Sequence, residues 1–393
     1  MPKHFRVGVV GFGVAGATAS LLLARAGHAV ALFERAPKVG PVGAGVLLQP
    51  SGQEVLRRCG LLERVVARAE PIDELHAVTH RGRTLVRLVY GQLQPSLHGY
   101  GLHRGDLFAV LHDEVRQSGV TIELGREMHS YRFAGNQIYL RDSAAKDHGP
   151  FDLVIAADGS RSSLRAGARV RQWAHEYTHG ALWAVGRGLG VRRQLFQVTR
   201  GTRNLIGLLP MGEGRCSLFF GLPRREYPSL VQNGFADWRR QVVALCPPAE
   251  ELFETVTDFK QLTFTTYQHV WMERWHDRNV LFLGDAAHAM SPHLGQGVNL
   301  ALLDGWRLAE ALASAADVRQ AFDRYTAARA RQLRFYSWIT FLLTPFFQSD
   351  GFLKGMARDI ALPLLPKVPW VRRQMLLTLA GTKAGFLAGP MRF

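Results

Sequence analysis

The segment from Gly284 to Asn299 combines the groups needed to hold a planar ligand that accepts electrons. Asp285 follows the strand-like run 280–283, and its carboxylate can accept hydrogen bonds from sugar-alcohol hydroxyl groups. Gly295 and Gly297 allow close approach of the backbone at the start of the next predicted helix. The N-terminus of that helix would stabilise negative charge on the ligand. The segment therefore predicts a ligand site between a strand and a helix.

The first forty residues predict a nucleotide site made of strand, turn, helix and strand. Gly11, Gly13 and Gly16 follow a short buried strand and open a helix rich in Ala and Leu. Glu34 ends the second strand roughly 20 positions later, where an acid reaches a ribose hydroxyl. An acid at this point disfavours the 2′-phosphate of NADP. The pattern favours FAD, with NAD as the competing interpretation.

Two further features could contribute to the same ligand site: a third pattern of strand, acid and glycine, and an arginine at the start of a helix. A strand-like run from Phe151 ends in Asp158 and Gly159, which repeats the pattern of a buried strand, an acid and a glycine turn. Arg104 opens a helix-like run, where it could face a phosphate oxygen. An arginine in such a position is also typical of a solvated surface.

Together the motifs resemble the single-component (group A) FAD-dependent aromatic monooxygenases, such as para-hydroxybenzoate hydroxylase and the ubiquinone-biosynthesis hydroxylases. The resemblance covers about residues 5–330 and rests on three motifs in the family's order. One departure is Ala156, where the middle motif usually has glycine. The resemblance implies that FAD is bound by Gly11, Gly13, Ala15, Gly16, Glu34, Arg35, Gly45, Arg104, Asp158, Gly159, Asp285, Pro292, Gly295, Gly297, Val298 and Asn299.

The resemblance also implies a reaction. In this family NADH or NADPH reduces the flavin, O₂ adds at C4a, and the resulting hydroperoxide transfers one oxygen atom to a phenol-like ring. We therefore expect a monooxygenase that acts on a small hydrophobic aromatic substrate. His293 is the candidate catalytic residue, because imidazole titrates near neutrality, although a structural role competes with this interpretation. Leu48 and Gln49 are expected to line the substrate pocket.

Other functions remain open at this point. An epoxidase, a Baeyer–Villiger enzyme or a prenyl reductase could use the same scaffold, because sites rather than folds determine chemistry. A non-catalytic flavin-binding or membrane-surface protein is the alternative from another class. The run from His175 to His179 has the HExxH pattern, but a strand-like sequence follows directly. Zinc binding needs this pattern on a helix, so we expect no metal site.

The expected fold is α/β, with a Rossmann-like FAD-binding domain, an inserted mixed β-sheet substrate domain and a C-terminal helical tail. The FAD-binding domain combines residues 1–75, 98–170 and 272–334. The substrate-domain sheet combines 76–97 and 171–271, where strand-like runs rich in β-branched and aromatic residues alternate with turns. Helices are expected over 300–313 and 318–335, before the tail of residues 335–393.

The net charge of +16 is concentrated in the tail, where ten Lys and Arg from Arg329 onward oppose only Asp350 and Asp359. The apolar runs 335–347 and 360–365 are too short to span a bilayer. A helical cap over the flavin domain is the favoured interpretation, and peripheral contact with an anionic membrane is the alternative. No basic helix or aromatic motif predicts nucleic-acid binding.

The three cysteines lack the spacing of metal or redox sites, and no leader sequence precedes the first strand. Both features predict a cytoplasmic location. The expected assembly is a monomer or a homodimer.

Overall fold

The computed structural model describes residues 4–40, 43–188, 190–386 and 388–391. The strands are β1 Arg6–Val10, β2 Ala29–Glu34, β3 Gly45–Leu48, β4 Glu70–Ile72, β5 Glu74–Thr79, β6 Thr84–Val89, β7 Gly99–His103, β8 Thr121–Leu124, β9 Met128–Ala134, β10 Gln137–Asp142, β11 Asp147–Phe151, β12 Leu153–Ala156, β13 Gln172–Arg187, β14 Gln194–Arg200, β15 Asn204–Pro210, β16 Arg215–Pro223, β17 Thr263–Met272, β18 His276–Asp277 and β19 Val280–Phe282. The helices are α1 Val14–Arg25, α2 Pro50–Arg58, α3 Leu62–Val66, α4 Arg104–Gln117, α5 Ser163–Ala166, α6 Tyr227–Gln232, α7 Phe235–Leu245, α8 Asp285–His288, α9 Gly297–Ser314, α10 Val318–Phe347, α11 Phe352–Ala361 and α12 Pro369–Leu379.

A six-stranded sheet in the order β18-β19-β12-β1-β2-β8 forms the first half of the fold. Its neighbouring strands are parallel except for β18 with β19. Strand β12 is buried throughout and β1 is buried beyond its first residue, as expected for parallel strands that are covered on both faces. Helices α1 and α9 pack against each other beside this sheet. The predicted Rossmann-like fold is confirmed.

A seven-stranded sheet in the order β17-β13-β16-β15-β14-β5-β6 forms the second half. Strands β14 and β5 are parallel and the other pairs are antiparallel, so the predicted mixed sheet is confirmed. This sheet has its own apolar core around the buried side chain of Trp238 in α7. The run from His175 to His179 lies within β13, so it lacks the helical geometry that the zinc motif requires.

Helix α10 is longer than the sequence pattern predicted. It was expected to end at residue 335, but it continues to Phe347, with Pro345 inside its final turn. The aromatic run remains helical because Tyr336, Thr340 and Thr344 recur at every fourth position and form a buried stripe. The predicted domain bound between residues 334 and 335 therefore lies within a continuous helix.

The tail packs on the first half of the fold, and the predicted helical tail is confirmed. The Ser51 amide donates to the Ala380 carbonyl oxygen at 3.2 Å, and Gln296 Nε2 donates to the Leu379 oxygen at 2.9 Å. Gln332 Nε2 donates to the Gly381 oxygen at 2.9 Å. No helix within the described ranges is both long enough and apolar enough to cross a bilayer. The outer predicted domain bounds, residues 1 and 393, lie outside those ranges.

Candidate active site

Two glycines in the turn after β1, Gly11 and Gly16, have no room for a side chain. Gly11 has a φ of +98°, and a Cβ atom at this position would lie 2.3 Å from the Ala157 carbonyl oxygen. A Cβ atom at Gly16 would lie 1.9 Å from the Gly11 oxygen, so α1 starts in direct backbone contact with the turn. Ala15 is buried behind this turn. Ala15 and Gly16 therefore support the turn from behind, whereas Gly11 and Gly13 line a cavity.

This first cavity has a volume of about 280 Å³ and lies at the carboxyl ends of β1, β2 and β12. Its lining includes Gly11, Gly13, Glu34, Arg35, Arg126, Asp158, Gly159 and Arg161. Burial raises the pKa of Asp158, and its Oδ1 atom has no hydrogen-bond partner among the described residues. Each Glu34 carboxylate oxygen accepts one backbone N–H, from Phe12 at 2.8 Å and from Ala36 at 2.9 Å. Each of these oxygens can still accept a further bond.

A second cavity, of about 310 Å³, lies between the two halves of the molecule. Arg104, Gly45, Asp285 and Pro292 line it, together with Trp183 of β13. The Trp183 indole donates to Thr265 Oγ1 at 2.8 Å, which fixes the ring at the cavity wall. Arg104 is exposed at the start of α4. This position suits both a contact with a phosphate oxygen and a solvated surface arginine, the two interpretations that the sequence left open.

A third cavity, of about 280 Å³, has the 285–298 segment on one side and the seven-stranded sheet on the other. From the segment, Asp285, Pro292, His293, Gly295, Gly297 and Val298 line this cavity. From the sheet and β3, the lining includes Gly45, Val46, Leu47, Trp183, Leu195, Gln197, Leu205, Leu209 and Phe219. The second and third cavities share Gly45, Trp183, Asp285 and Pro292, so they adjoin at this segment.

Asn299 supports this segment from inside the protein. Its Oδ1 accepts the Gln49 backbone N–H at 2.8 Å, and its Nδ2 donates to the Leu47 and Gly295 carbonyl oxygens, each at 3.1 Å. The side chain is fully buried. Asn299 therefore links the start of α9 to β3 and does not line the cavities.

The expectation that Leu48 and Gln49 line the substrate pocket is corrected by the structure. Both residues are completely buried, and they line neither the second nor the third cavity. Gln49 Oε1 accepts a hydrogen bond from the Tyr90 hydroxyl at 2.5 Å. The preceding residues of β3, Val46 and Leu47, line the third cavity instead.

His293 faces the third cavity as a neutral acceptor. Thr344 Oγ1 donates to the Thr340 carbonyl oxygen at 2.7 Å, so Ser291 Oγ supplies the proton of its 2.6 Å contact with Thr344. Ser291 Oγ then accepts from His293 Nδ1 at 2.9 Å. The other nitrogen, Nε2, is left unprotonated, buried and without a partner among the described residues. Burial, with a smaller contribution from His179, lowers the pKa of His293 to about 3.

A buried ionic network supports the 284–288 turn, and sequence reasoning missed it. Asp304 Oδ2 accepts from the Gly284 amide at 2.9 Å and from His288 Nε2 at 2.7 Å. Asp304 Oδ1 accepts from Arg329 Nε at 2.8 Å. Burial opposes ionisation of Asp304, but His288 and Arg329 outweigh it and hold its pKa below the usual range. The sequence signal that could have revealed this network is Asp304 itself, an acid within an otherwise apolar stretch of α9.

Comparison with known proteins identifies the class of protein to which this chain belongs. The chain belongs to the FAD binding domain family, whose model matches residues 4–334. It is 27% identical over 346 residues to aurachin C monooxygenase/isomerase of Stigmatella aurantiaca, covering 84% of this chain and 87% of that protein. It is 30% identical over 360 residues to kynurenine 3-monooxygenase of Stenotrophomonas maltophilia (strain K279a), covering 83% and 76%. The protein is therefore an FAD-dependent monooxygenase and an oxidoreductase, as the sequence predicted.

A solved structure shares the fold. HpxO of Klebsiella pneumoniae, complexed with FAD and uric acid, superposes with a TM-score of 0.81 at 18% identity and covers 97% of this chain and 98% of its own. Features of the first cavity itself, independent of these comparisons, also fit FAD. The backbone at Gly11 has no room for a side chain, and Asp158 Oδ1 is a buried acceptor with no partner within the described ranges. Arg35, Arg126 and Arg161 line the same cavity and could each donate hydrogen bonds to a phosphate oxygen.

Proposed function

We propose that the protein uses FAD, NADH or NADPH, and O₂ to insert one oxygen atom into a small hydrophobic aromatic compound. The observation that supports this proposal is the third cavity. Its sheet side is apolar, with Leu195, Leu205, Leu209 and Phe219, whereas its other side is the segment that carries Asp285 and the start of α9. An aromatic ring bound there would lie beside the redox group and away from water.

We infer that FAD spans the first three cavities. Gly11, Gly13, Glu34, Arg35, Asp158 and Gly159 would bind its nucleotide end, Arg104 and Asp285 its middle, and Gly45, Pro292, Gly295, Gly297 and Val298 its ring. Ala15, Gly16 and Asn299 would position these groups. When bound, FAD supplies hydride acceptance and oxygen activation, while the protein supplies orientation and electrostatics. The N-terminus of α9 would stabilise negative charge on the ring.

We propose that His293 orients the substrate by accepting a hydrogen bond from a ring hydroxyl at Nε2. A pKa of about 3 keeps the imidazole neutral at physiological pH, and it also makes this nitrogen a weak base. His293 would therefore accept a hydrogen bond from the ring hydroxyl without removing its proton, whereas a strong base would remove that proton. The unpartnered Nε2 supports this role, because buried polar atoms otherwise find partners.

The test combines spectroscopy with oxygen dependence. The purified protein should show a flavin visible spectrum, and a phenol panel should include compounds that stimulate NAD(P)H oxidation only in air and gain one oxygen atom by mass. Asp285→Ala should lose flavin, whereas the exposed control Glu273→Ala should retain it. Stimulated oxidation that persists without O₂ would establish a reductase instead. Bound flavin without any stimulation would support the non-catalytic alternative.

We further propose a cytoplasmic protein that contacts anionic membranes through the outer face of its tail. Its three cysteines are buried free thiols, which suits a reducing compartment. Phe352 is 78% exposed, Leu353 is 76% exposed and Trp370 is 63% exposed. The cations Lys354, Lys367, Arg372 and Arg373 lie among these apolar side chains.

Flotation with anionic and neutral liposomes tests the membrane contact. Binding should need anionic lipid, and the double variant Phe352→Ser with Trp370→Ser should abolish it. Equal recovery of the wild-type protein and the double variant with both lipids contradicts the proposal.

A further inference from the structure

A fourth cavity of about 330 Å³ opens beyond the third. The two cavities share four lining residues, Leu195, Gln197, Leu205 and His293. The two cavities therefore adjoin at these side chains, and a ligand that extends from the third cavity into the fourth would pass between them.

The walls of the fourth cavity are almost entirely apolar. The seven-stranded sheet contributes Leu75, Val86 and Leu88, and the long helix α10 contributes Ile339, Leu343 and Phe347 on the opposite side. The cavity thus separates the sheet from α10 here, whereas α12 packs directly on β6. Such a gap departs from the close packing of ordinary protein interiors.

The polar groups at the far end of the cavity are bonded to protein atoms. Lys383 Nζ donates to Gln374 Oε1 and, at 3.3 Å, to the Ala388 carbonyl oxygen. Thr378 Oγ1 donates to the Gln374 carbonyl oxygen at 2.9 Å. These bonds use much of the hydrogen-bonding capacity of Lys383 and Thr378, and the rest of the lining is mainly apolar. The cavity suits hydrocarbon better than water or a charged group.

We propose that the substrate carries a long hydrocarbon tail, with its ring in the third cavity and its tail in the fourth. This inference rests on the proposed function and specifies the substrate class. An apolar cavity of about 150 Å³ accepts benzene, so the fourth cavity has room for a chain on the order of ten carbon atoms. His293 lies at the junction, where it would hold the ring at the point from which the tail leaves.

The probes are 4-alkylphenols from 4-ethylphenol to 4-nonylphenol, titrated against the FAD-loaded protein by isothermal calorimetry. Each buried methylene contributes about 0.8 kcal/mol, so affinity should rise about fourfold per added carbon until the cavity is full. Leu343→Trp should remove most of this gain, because it fills the cavity from α10. Leu342→Trp is the matched control, since this neighbouring side chain is 53% exposed. Met375→Phe, on α12, fills the cavity from another helix if the first variant does not fold.

The outcomes separate this inference from the proposed function. If short phenols stimulate NAD(P)H oxidation but affinity does not change with chain length, the tail site is wrong and the monooxygenase proposal stands. If affinity rises with chain length and Leu343→Trp abolishes the rise without any stimulated oxidation, the tail site stands and the catalytic proposal is wrong. Equal losses in Leu343→Trp and Leu342→Trp, or no binding by any alkylphenol, overturn the inference.

Discussion

The Asp304 network allows a quantitative prediction for Arg329→Met. Arg329 is 1% exposed and Asp304 is 0% exposed, so the substitution leaves a buried carboxylate without the guanidinium that donates to its Oδ1. Removing one partner of such a pair costs about 3–5 kcal/mol. An unfolding entropy of about 2.1 cal/mol/K per residue gives about 0.8 kcal/mol/K for 393 residues. For a cooperative transition, Tm should therefore fall by about 4–6 °C.

The same network predicts a compensating variant. Asp304→Leu combined with Arg329→Met removes both buried charges, and such replacements are often neutral or stabilising. The double variant should recover most of the lost Tm, but it should bind FAD more weakly because Gly284 loses its acceptor. Thermal unfolding followed by circular dichroism measures the first effect, and flavin retained after dialysis measures the second.

The control for these variants is Arg334→Met, an exposed position on the same helix. Its Tm should match that of the wild-type protein. A Tm for Arg329→Met within 1 °C of wild type, or a double variant less stable than either single variant, would refute the reasoning about the buried pair.

Three other predictions concern the glycine turn, the junction histidine and pH. Gly11→Ala should lower Tm because its Cβ meets the Ala157 oxygen. Gly13→Ala should keep Tm and weaken FAD binding in a dialysis assay, since no atom of the described part of the chain lies within 4 Å of that Cβ. His293→Ala should retain FAD but couple less NAD(P)H oxidation to product, measured as the product-to-cofactor ratio; unchanged coupling contradicts its orienting role. Burial, with a smaller contribution from His175, lowers the pKa of His269 to about 4. Only the unfolded chain binds this proton between pH 6.5 and about 4, so His269 contributes about 1.4 kcal/mol per pH unit to the fall in the urea-derived free energy of unfolding on acidification, and His269→Asn should reduce the slope by that amount.

The sequence predicted the features that depend on local order. A buried strand, a glycine turn and an acid follow one another within a few residues around Gly11 and Asp158, so their pattern is visible without tertiary structure. Strand-like runs rich in β-branched and aromatic residues, separated by turns, likewise predicted the mixed sheet. These signals were sufficient for the fold class and for the family.

The features that depend on distant contacts were not predictable in this way. The orientation of Gln49 is fixed by Tyr90 and Asn299, and the Asp304 network joins residues from two helices and a turn. The continuation of α10 beyond residue 335 depends on the tertiary contacts of its buried residues, which the local sequence does not specify. The fourth cavity depends on where α10 and α12 lie relative to the seven-stranded sheet, and no periodicity in these segments encodes that arrangement.

The bonds from residues 378–381 to the body of the protein have a consequence for biosynthesis. The side-chain amides of Gln296 and Gln332 donate to carbonyl oxygens that are synthesised more than forty residues after each glutamine. Ribosomes add roughly 5–20 residues per second, and earlier segments begin folding while the remainder is still being made. The strands of the six-stranded sheet, the last of which ends at Phe282, can therefore pair during translation, whereas the wall beside the 285–298 segment closes only after residue 381 has left the exit tunnel. A nascent chain stalled before that point would hold a formed turn after β1 and an open third cavity.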